Sequence, residues 1–221
     1  MDSIKINAVS TVEAVRNALE QDILNIHFAP GEKIAESDLT VRYGVSRNTI
    51  REAIAHLLTQ GLLTKVANKG VYVQQFTPQD IREIFQLRSL LELEAARSII
   101  NSSADISFLY PLVEQLERTD RNCNWHEYVQ ADISFHSELV AAAGCSRLKK
   151  LYDTILTEVK LCIYQTRNFV PVSVPNQSTH RMILDAMTQK KEATVCRLLN
   201  DHICHVVKRY CAGISAMNQQ E

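Results

Sequence analysis

Apolar residues recur at helical spacing over most of the chain, which predicts a mainly α-helical protein. In the N-terminal third, helices are expected over residues 11–26, 37–43 and 47–60. Ser46 is a favourable N-cap for the last of these, and Gly61 ends it. Two short strands follow in LLTKV and VYV, joined by the turn ANKG. This order predicts a helix-turn-helix with a β-hairpin wing.

The pattern changes near residues 74–77, where TPQD provides a helix start with Thr77 as the cap and Pro78 in the first turn. No strand is predicted beyond this point, and NFVPVSVPN is the longest expected loop. The chain is therefore predicted to contain two domains, residues 1–76 and 77–221, the second an all-α six-helix bundle. Its helices are expected over residues 78–101, 104–121, 124–143, 146–167, 177–189 and 191–216.

Charge and composition restrict the possible functions less than the pattern of apolar and polar residues does. The formal net charge is −1, and residues 1–76 hold eight basic and eight acidic side chains, so any DNA-binding surface has to be built locally. No apolar run approaches the roughly 18 residues of a membrane span, and the first residues lack signal-peptide features, which predicts a cytoplasmic protein. The six cysteines form no CxxC pair and are expected to be buried free thiols.

The helix over residues 47–60 buries its apolar side and leaves a polar face. Arginine can make paired hydrogen bonds to guanine and asparagine to adenine, whereas hydroxyl groups at a helix N-terminus suit a phosphate. The alternative is a solvated surface helix without a nucleic-acid role. The residues expected to contact DNA here are Ser46, Arg47, Asn48, Thr49 and Arg51, with Lys69 adding positive charge to the hairpin.

The stretch GEKIAESDLTVRYGVSRNTIREAIAHLLTQGLLTKVANKGVYV closely resembles the winged-helix head of GntR-family transcriptional regulators. The resemblance covers about residues 8–75 and is most specific in VSRNTIREA and GVYV. It implies that Arg47, Thr49 and Arg51 contact operator DNA. It also implies that the tip of the wing, with Lys69 and Gly70, lies against the minor groove.

Four side chains able to bind a metal lie on predicted apolar helix faces of the second domain. Asp132 and His136 are four residues apart and share one face, while His180 and His202 lie on two further helices. Three imidazoles and a carboxylate suit a divalent transition metal, zinc first, with nickel and manganese as alternatives. Taken singly, each histidine is more simply explained as a hydrogen-bonded core residue.

DISFH, THRMILDAM and LLNDHI occur in the order typical of the FCD domain, the ligand-binding domain of the FadR branch of the GntR family, and LRSLLELEAA resembles its first helix. The resemblance covers residues 79–216. The predicted number of six helices is similar to that of the shorter VanR-type subgroup. It implies that Asp132, His136, His180 and His202 ligate a divalent metal ion. One departure is Gly144-Cys145, where many members carry Gly-Asn.

These expectations describe a DNA-binding transcriptional regulator, a repressor rather than an enzyme, whose metal-containing helical domain senses a small organic acid. One recognition helix reads few base pairs, so a homodimer on a palindromic operator is expected. Arg88 and Arg167 are candidates to pair with the acid, although Arg88 could equally form an ion pair with Glu92. The alternatives are a metal-dependent hydrolase, disfavoured by the absence of HExxH, and a regulator that binds acyl groups without metal.

Overall fold

The computed structural model describes residues 10–121, 125–167 and 179–217. The chain folds as two compact units, Met1–Gln75 and Phe76–Glu221. Within the described ranges, no helix combines the length and the apolar character needed to cross a membrane. The predicted loop NFVPVSVPN and one of the six cysteines, Cys123, lie outside the described residues.

The first unit contains helices α1 (Thr11–Leu24), α2 (Glu36–Tyr43) and α3 (Arg47–Thr59). α1 packs against α3, and Leu19, Ile23, Ile50 and Leu57 are buried in this unit. α2 ends at Gly44, whose left-handed backbone (φ 66°) permits the tight turn into α3. The helix-turn-helix expected from the sequence is confirmed.

A three-stranded antiparallel sheet completes the first unit, with β1 (Lys33–Ile34), β2 (Leu63–Val66) and β3 (Gly70–Val73) in the order β1-β3-β2. The predicted hairpin of β2 and β3 is confirmed, and Asn68 in its turn has a positive φ of 60°. β1 was not predicted, because two residues are too few for an alternating pattern. It is defined by pairing with β3, where Lys33 lies opposite Tyr72.

The second unit is all-helical in its described part, as predicted. Its first helix starts at a capping box: Asp80 N donates to Thr77 Oγ1 (3.2 Å) and Thr77 N donates to Asp80 Oδ2 (2.7 Å). A short 3-10 helix, Ser107–Leu109, occupies the first part of the predicted 104–121 helix. The described part of this unit contains six α-helices: α4 (Pro78–Ser102), α5 (Tyr110–Arg121), α6 (Trp125–Ala142), α7 (Ser146–Thr166), α8 (Thr179–Thr188) and α9 (Glu192–Met217).

Helix α4 is central to the packing of this unit, because it contacts α6, α7, α8 and α9. Its buried side combines apolar residues such as Ile81, Phe85 and Ile99 with two charged residues, Arg88 and Glu92. A buried charge is costly unless it is paired, so the partners of Arg88 and Glu92 mark a specialised region of the core.

The cysteine prediction holds only in part. All five cysteines in the described ranges are free, and Cys162 is buried. Cys145 and Cys204 are exposed, so the expectation of burial was wrong for both. Cys145 precedes α7 in a loop, and Cys204 lies on the outer side of α9, two residues after His202.

Candidate metal centre and nucleic-acid interface

Three helices of the second unit bring four metal-capable side chains to one point. Asp132 and His136 project from α6, His180 from α8 and His202 from α9. One potential ligand atom from each lies within 4.8 Å of the others. We call these residues the His/Asp cluster. They are the four residues predicted as ligands, and their role as ligands stays a prediction.

The donor atoms of the cluster are closely spaced. His180 Nε2 lies 3.2 Å from His136 Nε2 and 3.1 Å from Asp132 Oδ1. The ring of His202 stacks on that of His136, with centroids 5.3 Å apart and planes inclined by 24°. Donors of one tetrahedral zinc ion lie about 3.4 Å from each other, since each is about 2.1 Å from the metal. The residues therefore fit a divalent cation.

The protonation states also suit a cation. Burial lowers the pKa of His136, and burial together with the neighbouring His180 lowers that of His202 well below its usual value. Burial alone would raise the pKa of Asp132, but His136, His180 and Arg88 outweigh it, so the net shift is well below the ordinary value. At neutral pH these lowered pKa values favour neutral rings with free lone pairs at His136 and His202 and an ionised carboxylate at Asp132.

A second buried carboxylate lies behind the cluster. Glu92 Oε2 is 2.9 Å from His136 Nδ1, and Glu92 Oε1 accepts hydrogen bonds from Arg88 Nε (2.7 Å) and from the Tyr152 hydroxyl (2.8 Å). Burial acts to raise the pKa of Glu92, but Arg88 and His136 lower it further than burial raises it. Glu92 is therefore an ionised carboxylate inside the core.

The two arginines considered as effector ligands lie in different settings. Arg88 is buried and forms the ion pair with Glu92, the alternative that the sequence left open. Its Nη2 is also 4.0 Å from Asp132 Oδ2, so the structure brings it beside the His/Asp cluster. Arg167 is exposed at the C-cap of α7. An effector contact by either arginine stays a prediction.

In the first unit, the N-terminal half of α3 presents a polar surface. Arg47, Asn48 and Arg51 are exposed, and Thr49 is half-buried. Ser46 caps the helix: Thr49 N donates to Ser46 Oγ at 3.2 Å, and the two hydroxyl oxygens are 3.0 Å apart. A helix N-terminus with exposed hydroxyl groups favours a phosphate.

The wing adds a basic residue at its turn. Lys69 is exposed between β2 and β3, and its backbone N–H donates to Val66 O at 3.1 Å. Gly70 follows with φ 120°, and an added Cβ would lie 3.1 Å from Lys33 Cε. A side chain at Gly70 would thus be strained by the backbone and crowded by Lys33.

Three residues at these sites were not predicted from the sequence. Glu36 on α2 accepts a hydrogen bond from Arg51 Nε at 2.8 Å. Glu92 was considered only as a partner of Arg88, and Tyr152 was not considered. The signal for Glu92 was available, because it is a carboxylate on the apolar stripe of α4, as Asp132 is on that of α6. Tyr152 and Glu36 had no comparable local signal.

A winged helix followed by an all-helical domain with a buried polar cluster defines a class of DNA-binding, ligand-responsive transcription regulators. The chain belongs to the gntR family of bacterial regulatory proteins, which matches residues 11–73, and its second part is an FCD domain, which matches residues 83–205. It therefore binds DNA through the winged helix and a small-molecule effector through the FCD domain. The hydrolase alternative is wrong, since this family consists of regulators.

Individual relatives agree with this assignment. The chain is 30% identical over 205 residues to the HTH-type transcriptional regulator YdhC of Bacillus subtilis, covering 87% of this chain and 90% of that protein. It is 27% identical over 195 residues to the HTH-type transcriptional repressor GlaR of Escherichia coli, covering 84% and 89%. A GntR transcriptional regulator from Rhodococcus sp. RHA1 shares the fold, with a TM-score of 0.76, 24% identity and coverage of 90% and 96%.

Proposed function

We propose that the protein is a repressor whose FCD domain holds a divalent metal ion at the His/Asp cluster and senses a small organic acid there. The observation that carries the proposal is the convergence of Asp132, His136, His180 and His202 within 4.8 Å from three helices. A bound cation offsets the cost of holding the Asp132 carboxylate, only 14% exposed, beside the apolar core. We propose repression because the relative GlaR is named a transcriptional repressor.

The charges around the cluster favour an anionic effector. Asp132 and Glu92 carry one negative charge each and Arg88 one positive charge, which leaves a single negative charge among these three residues. A bound divalent cation changes the net charge of this group from one negative to one positive charge. One carboxylate then neutralises the site, and Arg88 is close enough to contribute to its binding.

The location of the residues beside the His/Asp cluster supports a route by which effector binding changes DNA binding. Arg88 and Glu92 lie on α4, which begins at Pro78, directly after the first unit in the sequence. An effector that binds more tightly to one arrangement of α4 and α6 shifts the population towards that arrangement. We propose that this shift changes the affinity of the winged helix for its operator.

We further propose that the repressor acts as a homodimer on a palindromic operator. Leu87 and Leu90 on α4 and Leu151 on α7 are exposed by 50%, 58% and 60%, and these two helices pack against each other. Large exposed apolar side chains on adjoining helices favour a protein contact. Two-fold pairing also doubles the number of bases that α3 can read.

The test uses the full chain, loaded in turn with zinc, nickel and manganese. Metal content is measured by elemental analysis, and operator affinity by fluorescence anisotropy on a duplex selected from random sequence. We expect each folded chain to bind metal. We also expect operator affinity to fall when one of a panel of short hydroxy and dicarboxylic acids is added. Protein that stays free of metal after loading and responds only to acyl compounds would favour the metal-free regulator instead.

A further inference from the structure

The carboxylate of Glu92 joins three helices next to the His/Asp cluster. It contacts His136 Nδ1 on α6 at 2.9 Å, Arg88 Nε on α4 at 2.7 Å and the Tyr152 hydroxyl on α7 at 2.8 Å. Glu92 and His136 are 0% exposed, Tyr152 is 1% exposed and Arg88 3%. Because the site is closed to bulk water, each of these contacts is costly to lose.

The donors around Glu92 decide which nitrogen of His136 carries the proton. Arg88 and the Tyr152 hydroxyl both donate to Oε1, and the positive charge of Arg88 favours the ionised carboxylate. An ionised carboxylate only accepts hydrogen bonds, so Nδ1 of His136 is the protonated nitrogen. In a neutral imidazole the free lone pair then lies on Nε2, the atom 3.2 Å from His180 Nε2 and 3.7 Å from Asp132 Oδ1.

We propose that Glu92 is a positioning residue that fixes the Nδ1-protonated tautomer of His136 and so presents the Nε2 lone pair to a divalent cation, a role that rests on the proposed metal site. Tyr152 holds the Glu92 carboxylate in the required orientation. Glu92 itself contacts the far side of the His136 ring and contributes no atom to the cluster. A hydrogen bond of this kind makes the imidazole a stronger ligand, and its removal lowers metal affinity by about 10- to 100-fold.

The test compares Glu92→Gln with Glu94→Gln, which removes the same charge from the exposed side of α4. Zinc affinity of the full chain is measured by competition with a chromogenic chelator. We expect Glu92→Gln to weaken zinc binding by about 10- to 100-fold, and Glu94→Gln to leave it unchanged. Tyr152→Phe removes only the hydroxyl donor and should weaken binding in the same direction, by less.

A second measurement reports on the tautomer without any metal. Ring nitrogen chemical shifts of ¹⁵N-labelled histidine identify the protonated nitrogen of His136 in the metal-free protein. We expect protonation at Nδ1 in the unsubstituted chain and in Glu94→Gln, and a mixture of tautomers in Glu92→Gln. If Glu92→Gln does not fold, judged by circular dichroism, the zinc affinity of Tyr152→Phe and the tautomer of His136 in the unsubstituted chain decide instead.

These outcomes separate the positioning role from the metal site. His136 protonated at Nε2 in the unsubstituted, metal-free chain would overturn the positioning role, as would a folded Glu92→Gln protein with undiminished zinc affinity. Failure of the unsubstituted chain to bind zinc, nickel or manganese would overturn the metal site. In that case the tautomer measurement still decides whether Glu92 controls the proton of His136.

Discussion

Arg51 on α3 donates a hydrogen bond from Nε to Glu36 Oε2 on α2, over 2.8 Å. The Arg51 side chain is 63% exposed and that of Glu36 38%, so the pair contributes little to stability. We expect its effect to be on orientation, because the bond occupies Nε and leaves the two terminal nitrogens to bind guanine O6 and N7. We therefore expect the pair to hold the guanidinium in a position suited to reading a base.

Replacing Arg51 is expected to reduce sequence-specific binding. Arg51→Ala should cost about 1–3 kcal/mol of operator affinity, with a smaller loss for Glu36→Gln, which leaves the guanidinium less well oriented. Fluorescence anisotropy on the operator and on single-base variants measures both. Arg118→Ala, which removes the same charge from the exposed side of α5, serves as control. Unchanged operator affinity in Arg51→Ala would remove Arg51 from the base-reading residues.

Lys69→Ala is expected to weaken binding to all sequences alike, because a lysine at the wing turn interacts with the phosphate backbone rather than with base edges. The slope of log affinity against log salt concentration should decrease in magnitude by about 1. Titrations of operator and unrelated DNA at several salt concentrations measure this. A loss confined to the operator would instead indicate base reading by the wing.

His136→Ala and His180→Ala are expected to abolish metal binding and the effector response, because each removes one of four donors from a compact site. His205→Ala is the matched control, since His205 lies on α9 one turn after His202 and is exposed. Elemental analysis after metal loading gives the occupancy, and operator titration in the absence of effector reports whether the winged helix is intact. Full metal content in either cluster variant would contradict the assignment.

A charge placed on the exposed leucines should separate the dimer. Leu90→Glu and Leu151→Glu put a carboxylate on α4 and α7, where pairing of two copies would bury it without a partner. Light scattering of the free protein is expected to give the mass of one chain for these variants and of two chains for the unsubstituted protein. Met182→Glu, at an exposed apolar position on α8, should stay dimeric. A monomeric unsubstituted chain on its operator would rule out the dimer.

Asp22 is expected to stabilise the helix-turn-helix in a pH-dependent way. It accepts hydrogen bonds from Arg42 Nε (2.8 Å) and the Tyr43 hydroxyl (2.7 Å), and its Oδ1 lies 2.9 Å from His27 Nδ1. Partial burial acts to raise the pKa of Asp22, but the bonds to His27, Tyr43 and Arg42 lower it below its ordinary value overall. The folded state thus holds the proton less tightly than the unfolded state, and the stabilisation is present above the ordinary pKa.

The stabilisation by Asp22 is lost as the pH falls through the lowered pKa. Asp22→Asn should therefore destabilise the first unit at neutral pH, and the difference from the unsubstituted chain should shrink under acid conditions. Hydrogen exchange of backbone amides in α1 and α3 of the full chain reports on this unit. Asp38→Asn, at an exposed position on α2, is the control. A difference that grows on acidification would contradict the sign of the shift.

Much of the local structure could be predicted because its causes lie within one or two helical turns. Ser46 and Thr77 mark helix starts, since a cap acts on amides three residues away. Asp132 and His136 share a face, since four residues make about one turn. The helix-turn-helix, the hairpin and the six-helix domain follow from such signals, and the motifs of the FCD domain extended them to a family.

The contacts between helices and strands could not be predicted from such local signals. β1 exists only because Lys33 and Ile34 pair with β3, and Arg51 meets Glu36 only because α2 and α3 are held by the turn at Gly44. Arg51 and Glu36 are 15 residues apart, and neither position carries a pattern that selects the other.

The sequence by itself determined which side chains are available to the candidate site and on which face of each helix they lie. Only the tertiary structure decided that α6, α8 and α9 meet there, and that Glu92 stands behind His136, 44 residues away. The physical reason is that helical periodicity is set by local backbone geometry, whereas convergence depends on how whole helices pack. Packing is determined by the combined shape and burial of many side chains, none of which specifies the meeting point alone.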